Sequence, residues 1–233
     1  MNFADFEQNG FGILENFLDD ETVLCLRGEL AGLKPSNSVS RKNETIYGVR
    51  NLLNLSPVIR EFSKSERVRK IAEKFLGQKA KVVRAIFFDK TPDANWKVPW
   101  HQDLTIAVRE RRDARGFSAW TRKAGIEHVQ PPVEILEKMI TLRFHLDDAD
   151  ETNGALRVLP GSHQHGLLSD EAIQRWKERK EAITCSVPRG GALLMCPLLL
   201  HASSVAMQPS HRRVLHLEYS AMNLPGGLVW DGS

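Results

Sequence analysis

The chain has 233 residues, 42% of them hydrophobic, and a net charge of +3 from 32 Lys and Arg against 29 Asp and Glu. That is enough apolar material for one substantial core, and the mild basic excess lacks the aromatic–basic interleaving a nucleic-acid surface needs. Three scattered cysteines, Cys25, Cys185 and Cys196, give no C-x-x-C, no stretch reaches membrane-span length, and the start Met1-Asn2-Phe3-Ala4-Asp5 has neither a basic cluster nor an apolar run, so a single-domain cytoplasmic protein (1–233) is expected, with no membrane and no nucleic acid among its partners.

The front, 1–80, reads as helical. Asp19 or Asp20 caps a helix whose apolar positions Val23, Leu26, Leu30 and Leu33 follow the 3.6 period. Ser56-Pro57 starts another, cap followed by proline at the first turn. Ser65-Glu66 opens a third, with Val68, Ile71, Ala72, Phe75 and Leu76 on its apolar face and Gly77 as its stop.

From Lys81 the period changes to that of strands. Val82 to Lys90, Val98 to Val108, Met139 to Asp147, Ala155 to Leu159, Ala182 to Val187, Ala192 to Met195, Leu198 to Ser203 and Arg212 to Ala221 are the candidates, punctuated by Gly and Pro. About eight strands with helices gathered in front predict a mainly β fold with flanking helices, a double-sheet jelly roll of cupin type, with its core over 81–221. Glu110 to Pro132 shows no sustained period. Directly after the strand that carries His101, it is expected to be an irregular lid over the site, 110–132, helping to select substrate.

His101 and Asp103 stand two apart in Trp100-His101-Gln102-Asp103. On a strand, positions i and i+2 project to one face, so an imidazole and a carboxylate can meet one metal ion from a short stretch of backbone. His201, 98 residues beyond Asp103, would complete a set of two His and one carboxylate that leaves the opposite positions open, the ligand set of non-haem Fe(II) oxygenases. Zinc suits the same donors in a purified sample. Arg212, eleven residues after His201, offers a guanidinium fork for a carboxylate. Arg213 is its rival. Along the strand Arg212, Val214, His216, Glu218 and Ser220 share the more polar face, which favours Arg212 as the pocket residue. Further candidates for lining the cofactor pocket are Thr105, which shares a face with His101 and Asp103, and Thr141 and Arg143, which with His145 form a polar face on the Met139 strand, either a cavity lining or a solvent-exposed face. Gln102 is expected to point away from the metal.

Asn153-Gly154-Ala155-Leu156-Arg157-Val158-Leu159-Pro160-Gly161-Ser162-His163 resembles the N-G-x-L-x-V-x-P-G-S/T-H signature of the phytanoyl-CoA dioxygenase family. The H-x-D precedes it and His201-Ala202-Ser203-Ser204 follows, with Arg212 in the arginine position; the likeness runs from about Lys81 to Tyr219. The resemblance implies a double-stranded β-helix that binds Fe(II) through His101, Asp103 and His201. It implies 2-oxoglutarate and O2 as cosubstrates, with Arg212 on the far carboxylate of 2-oxoglutarate and Ser203 adding a hydrogen bond. The implied reaction is oxidative decarboxylation of 2-oxoglutarate coupled to hydroxylation of an unactivated C–H bond in a small molecule, with desaturation, ring formation and epimerisation open. Halogenating relatives lack the carboxylate, so Asp103 argues against halogenation. A cupin-like module that binds or senses without turnover is the alternative, and a carrier-bound substrate a third reading. The oligomeric state is not legible.

Overall fold

The computed structural model describes residues 3–43 and 45–232; Met1 and Asn2 of the opening pentapeptide lie outside the described residues. The front of the chain forms α1 (Phe3–Asn9), β1 (Phe11–Leu14), α2 (Asp20–Ala31), β2 (Val39–Lys42), β3 (Thr45–Val49), α3 (Leu52–Leu55), α4 (Pro57–Lys64) and α5 (Glu66–Leu76). The middle forms β4 (Lys81–Lys90), β5 (Val98–His101), β6 (Ile106–Val108), β7 (Ser118–Lys123), β8 (Ile126–Gln130), α6 (Val133–Leu136) and β9 (Met139–His145). The remainder forms β10 (Leu156–Val158), α7 (Asp170–Arg179), β11 (Ile183–Thr184), β12 (Ala192–Met195), β13 (His201–Ser203) and β14 (Arg212–Ser220).

The strands build a double-stranded β-helix of the expected class. Among the described residues a seven-stranded sheet runs β1-β12-β9-β14-β4-β3-β2 and a four-stranded sheet runs β11-β10-β13-β5. Alternation along the central strands decides what each face meets. Leu215, Leu217 and Tyr219 of β14 join Leu142 and Phe144 of β9 and Ala85 and Phe87 of β4 in one buried cluster under the helices. The intervening residues Arg212, His216, Glu218 and Arg143 face the cavity between the sheets. The helical cover starts where its caps predict. Asp19 accepts from Thr22 N at 2.8 Å to open α2, Ser56 accepts from Ile59 N with Pro57 in the first turn of α4, and Gly77 ends α5 in the left-handed region. No helix among the described residues is long and apolar enough to cross a membrane.

Several expected boundaries are corrected. The front is not purely helical, because β1 pairs with β12, and the β2–β3 hairpin extends the large sheet beyond β4. The expected strand Val98–Val108 is broken between His101 and Ile106. Gln102 anchors the break, its side-chain amide donating to the carbonyls of Gly166 and Leu198 and accepting from Leu168 N. The Leu198–Ser203 strand begins only at His201, since Leu198 to Leu200 form a buried turn, and the Ala182–Val187 strand shrinks to two residues. The segment 110–132 is irregular over 110–117 but regular beyond it. It holds β7 and β8, an antiparallel hairpin that β6 extends to three strands. Most of β7 is exposed on both faces, which leaves no apolar period to read.

Candidate active site

His101 ends β5 and His201 begins the neighbouring β13, directly opposite it in register. Asp103 sits in the break after β5, its backbone N–H donating to Pro197 O at 2.9 Å. The carboxylate therefore reaches the imidazoles from a turn and not from the same strand face. Its oxygens stand 3.7 Å from His101 Nε2 and 3.6 Å from His201 Nε2, and one donor atom from each of the three residues lies within 4.8 Å of the others. Each imidazole is held from behind: Nδ1 of His101 lies 2.8 Å from Pro99 O and Nδ1 of His201 2.8 Å from Leu199 O. A carbonyl partner fixes the proton on Nδ1 and turns the Nε2 lone pair inward, the form that binds a metal. Burial pushes His201 down to about 4, so it is neutral at neutral pH. Burial raises the Asp103 carboxyl, but the attraction of His201, His216, His101 and Arg84 outweighs it and leaves the group at about 2, ionised.

The cavity beside these donors has a volume of about 420 Å³ and takes in Thr105, Arg143, Ser203 and Arg212 as well. Arg212 is 3% exposed, and its Nε and Nη1 have no hydrogen-bond partner. Burial first, and Arg143 second, lower its guanidinium to about 10, so it keeps its charge. A buried cation with two open donors fits a carboxylate ligand, because leaving such donors unmade is costly. The rival Arg213 is engaged elsewhere, in a two-pronged pair with Asp147 at 2.7 and 2.9 Å.

The other candidates divide. Arg143 reaches the cavity and donates from Nη1 to His216 Nδ1 at 2.9 Å; His216 Nε2 lies 3.2 Å from Glu218, whose Oε1 pairs with Arg84 at 3.0 Å. Ser203 reaches it too, but its hydroxyl proton goes to Gly154 O at 2.8 Å while Lys90 Nζ donates to its oxygen at 2.7 Å. Thr141 is buried opposite Glu218 and does not line the cavity. His145 is buried with both ring nitrogens unpartnered, and burial, then Arg143 and Arg212, hold it well below its ordinary range. Lys90, Arg50, Arg84 and Lys123 were not singled out from the sequence. The one signal for Arg84 and Lys90 is that they share a face of β4 with Ile86 and Phe88.

The Asn153 to His163 run supports this site without touching its chemistry. Asn153 closes a turn, accepting from Asp150 N at 3.0 Å and donating to Asp148 O at 2.8 Å. Gly154 has φ +76°, and a Cβ there would meet Ser204 O at 2.5 Å and Lys90 Nζ at 2.8 Å. Ser162 donates to Leu159 O and accepts from Leu200 N, both at 2.8 Å, which pins the residue before His201.

Proteins that combine this fold with two imidazoles and a carboxylate are non-haem iron oxygenases with room for a cosubstrate and dioxygen. The sequence model of the phytanoyl-CoA dioxygenase (PhyH) family matches residues 6–214, and the chain belongs to that family. It is a 2-oxoglutarate-dependent non-haem iron dioxygenase, using Fe(II), 2-oxoglutarate and O2. Ectoine dioxygenase of Bordetella bronchiseptica is 26% identical over 247 aligned residues, 93% of this chain and 73% of that protein. AviO1 from Streptomyces viridochromogenes superposes with a TM-score of 0.69 at 22% identity, over 96% of this chain and 95% of that one. EctD from S. alaskensis, solved with 2-oxoglutarate and 5-hydroxyectoine, gives 0.72 at 19% identity, over 94% and 74%. These two structural likenesses concern the fold.

Proposed function

We propose that His101, Asp103 and His201 hold the ferrous ion, that Arg212 binds the C5 carboxylate of 2-oxoglutarate, and that the enzyme hydroxylates an unactivated C–H bond of a small molecule. The balance is one O2 consumed, one oxygen atom entering succinate as CO2 leaves, and the other entering the substrate as hydroxyl. The unpartnered Nε and Nη1 of buried Arg212, opening on the same cavity as the three donors, carry this reading. When bound, the iron supplies oxygen activation and the oxoacid the reducing electrons. The protein's residues orient these groups. Pro99 O and Leu199 O aim the imidazoles, Asp103 supplies anionic charge, and Arg143, tied to His216, keeps a second cation beside the cosubstrate. A carboxylate at Asp103 fills the position a halide needs, so hydroxylation is the outcome this site favours. Reading 110–132 as part of the substrate side is supported by Lys123, which reaches the cavity wall.

Anaerobic addition of Fe(II) and 2-oxoglutarate should produce the visible metal-to-ligand charge-transfer band. Asp103→Ala should abolish it, and Arg212→Ala should raise the 2-oxoglutarate concentration needed by roughly a hundredfold, as losing one arm of a buried charge pair requires. A folded, iron-loaded wild type without the band would sink the assignment.

A further inference from the structure

The cavity mouth carries charge that oxygen activation does not use. Arg50 follows β3, Arg84 lies on β4 and Lys123 ends β7, yet all three line the cavity that holds His101, Asp103 and His201. They are close enough to disfavour one another's charge. Burial first, then Arg50 and Arg84, lower the Lys123 ammonium, while burial and then Arg84 lower Arg50. His128, on β8 behind them, is pushed down to about 4, first by burial and also by all three cations. Arg84 has a counter-ion in Glu218 at 3.0 Å, but neither Arg50 nor Lys123 has a carboxylate within ion-pair distance among the described residues.

The cosubstrate does not neutralise this excess. The cavity wall holds five cationic side chains, Arg50, Arg84, Lys123, Arg143 and Arg212, against the carboxylates Asp103 and Glu218. Fe(II) and doubly ionised 2-oxoglutarate cancel each other, so the positive surplus survives loading. Arg212 and Arg143 stand beside the cosubstrate, and Arg84 is held by Glu218. Of the three surplus charges, one stays with Arg143 and Arg212 against Asp103, and two fall on Arg50 and Lys123, where a walled cavity concentrates anions. Next to Arg50 a crevice of about 260 Å³ continues the cavity, sharing Arg50, Phe88 and Trp96 with it and adding Tyr47, whose ring centroid lies 6.0 Å from that of Trp96.

We propose that Arg50 and Lys123 form an oxyanion subsite for the substrate, which is an anionic small molecule bearing a carboxylate or phosphate on a body that packs against Phe88 and Trp96. The proposal rests on the dioxygenase reading above and names the substrate class for it. Arg50 presents a fixed fork that takes two oxygens of the anion, and Lys123 adds a mobile point charge from the hairpin end.

Calorimetric titration tests this on protein loaded anaerobically with Fe(II) and saturating 2-oxoglutarate, so that Arg212 is occupied. The probes are phenyl phosphate, phenylacetate and the neutral phenylacetamide. Saturable binding of at least one oxyanion is expected, weakened by about tenfold or more in Arg50→Gln and in Lys123→Gln, with no saturable binding of the amide. The tighter of the two oxyanions tells phosphate from carboxylate. Lys123 is exposed, so its variant keeps the fold even if Arg50→Gln does not. Absence of oxyanion binding by wild type, equal binding of the amide, or wild-type affinity in the folded variants would overturn the subsite. If the charge-transfer band never forms, the dioxygenase reading fails separately, and the same titrations on metal-free protein still decide the subsite.

Discussion

Lys90 carries its ammonium into the sheet at 1% exposure, directly opposite Arg212 in register. Its head donates to the Ser203 hydroxyl and to Ser204 O, and Gly154 is the residue that leaves it room. Burial first, and Arg212 second, bring it down to about 8 from 10.5. Below pH 8 the folded and unfolded chains both hold the proton, and the folded state bears the full penalty. Between about 8 and 10.5 the unfolded chain holds a proton that the folded chain has released, so stability rises with pH in that window. Relative to Lys90→Met, the wild type should therefore gain up to about 3 kcal/mol between pH 7.5 and pH 10.5 in urea unfolding. Parallel curves for the two proteins would show that Lys90 does not titrate there.

At the scale of elements, Ser56 joins two helices. Its hydroxyl accepts from Ile59 N at 3.0 Å, capping α4, and donates to Glu29 Oε1 of α2 at 2.6 Å, while the residue is fully buried. Ser56→Ala removes the cap and leaves the carboxylate without that donor, an expected loss of about 2 kcal/mol. The change should lower the urea midpoint at constant slope; a lower slope would mean that the helices no longer unfold with the sheet. This cap, with Pro57 after it, was legible because capping is local chemistry. So were β9 and β14, where one face is apolar and the period is plain, and β4 and β12, which read as short apolar runs between Gly and Pro breaks. The β7–β8 hairpin was not, since mostly exposed residues such as Thr121 and Arg122 carry no burial pattern. The donors His101, Asp103 and His201 were legible as residue types at a spacing, but the break that brings Asp103 round depends on Gln102 binding residues more than 60 positions away. Arg50, Arg84 and Lys123 escaped for the same reason: only the β3–β4 pairing and the hairpin bring them together.

For the molecule as a whole, the proposed site joins its two sheets. His101 and His201 belong to strands of the four-stranded sheet, and Arg212 opens β14 in the seven-stranded one. Under that proposal iron alone would engage the first sheet and Asp103 after β5, whereas 2-oxoglutarate held by both iron and Arg212 would tie that sheet to the other. A ligand that binds only the folded state at a hundred times its Kd adds about 2.7 kcal/mol. For a chain of this length that is roughly 5–10 °C in Tm. Iron should give one increment in thermal unfolding and 2-oxoglutarate a second. Arg212→Ala should keep the first and lose most of the second. If the variant kept both, the cosubstrate would be held by the metal side alone, and the open donors of Arg212 would belong to some other ligand. If wild type gained nothing from 2-oxoglutarate beyond iron at saturation, the two sheets would not be coupled through this cavity.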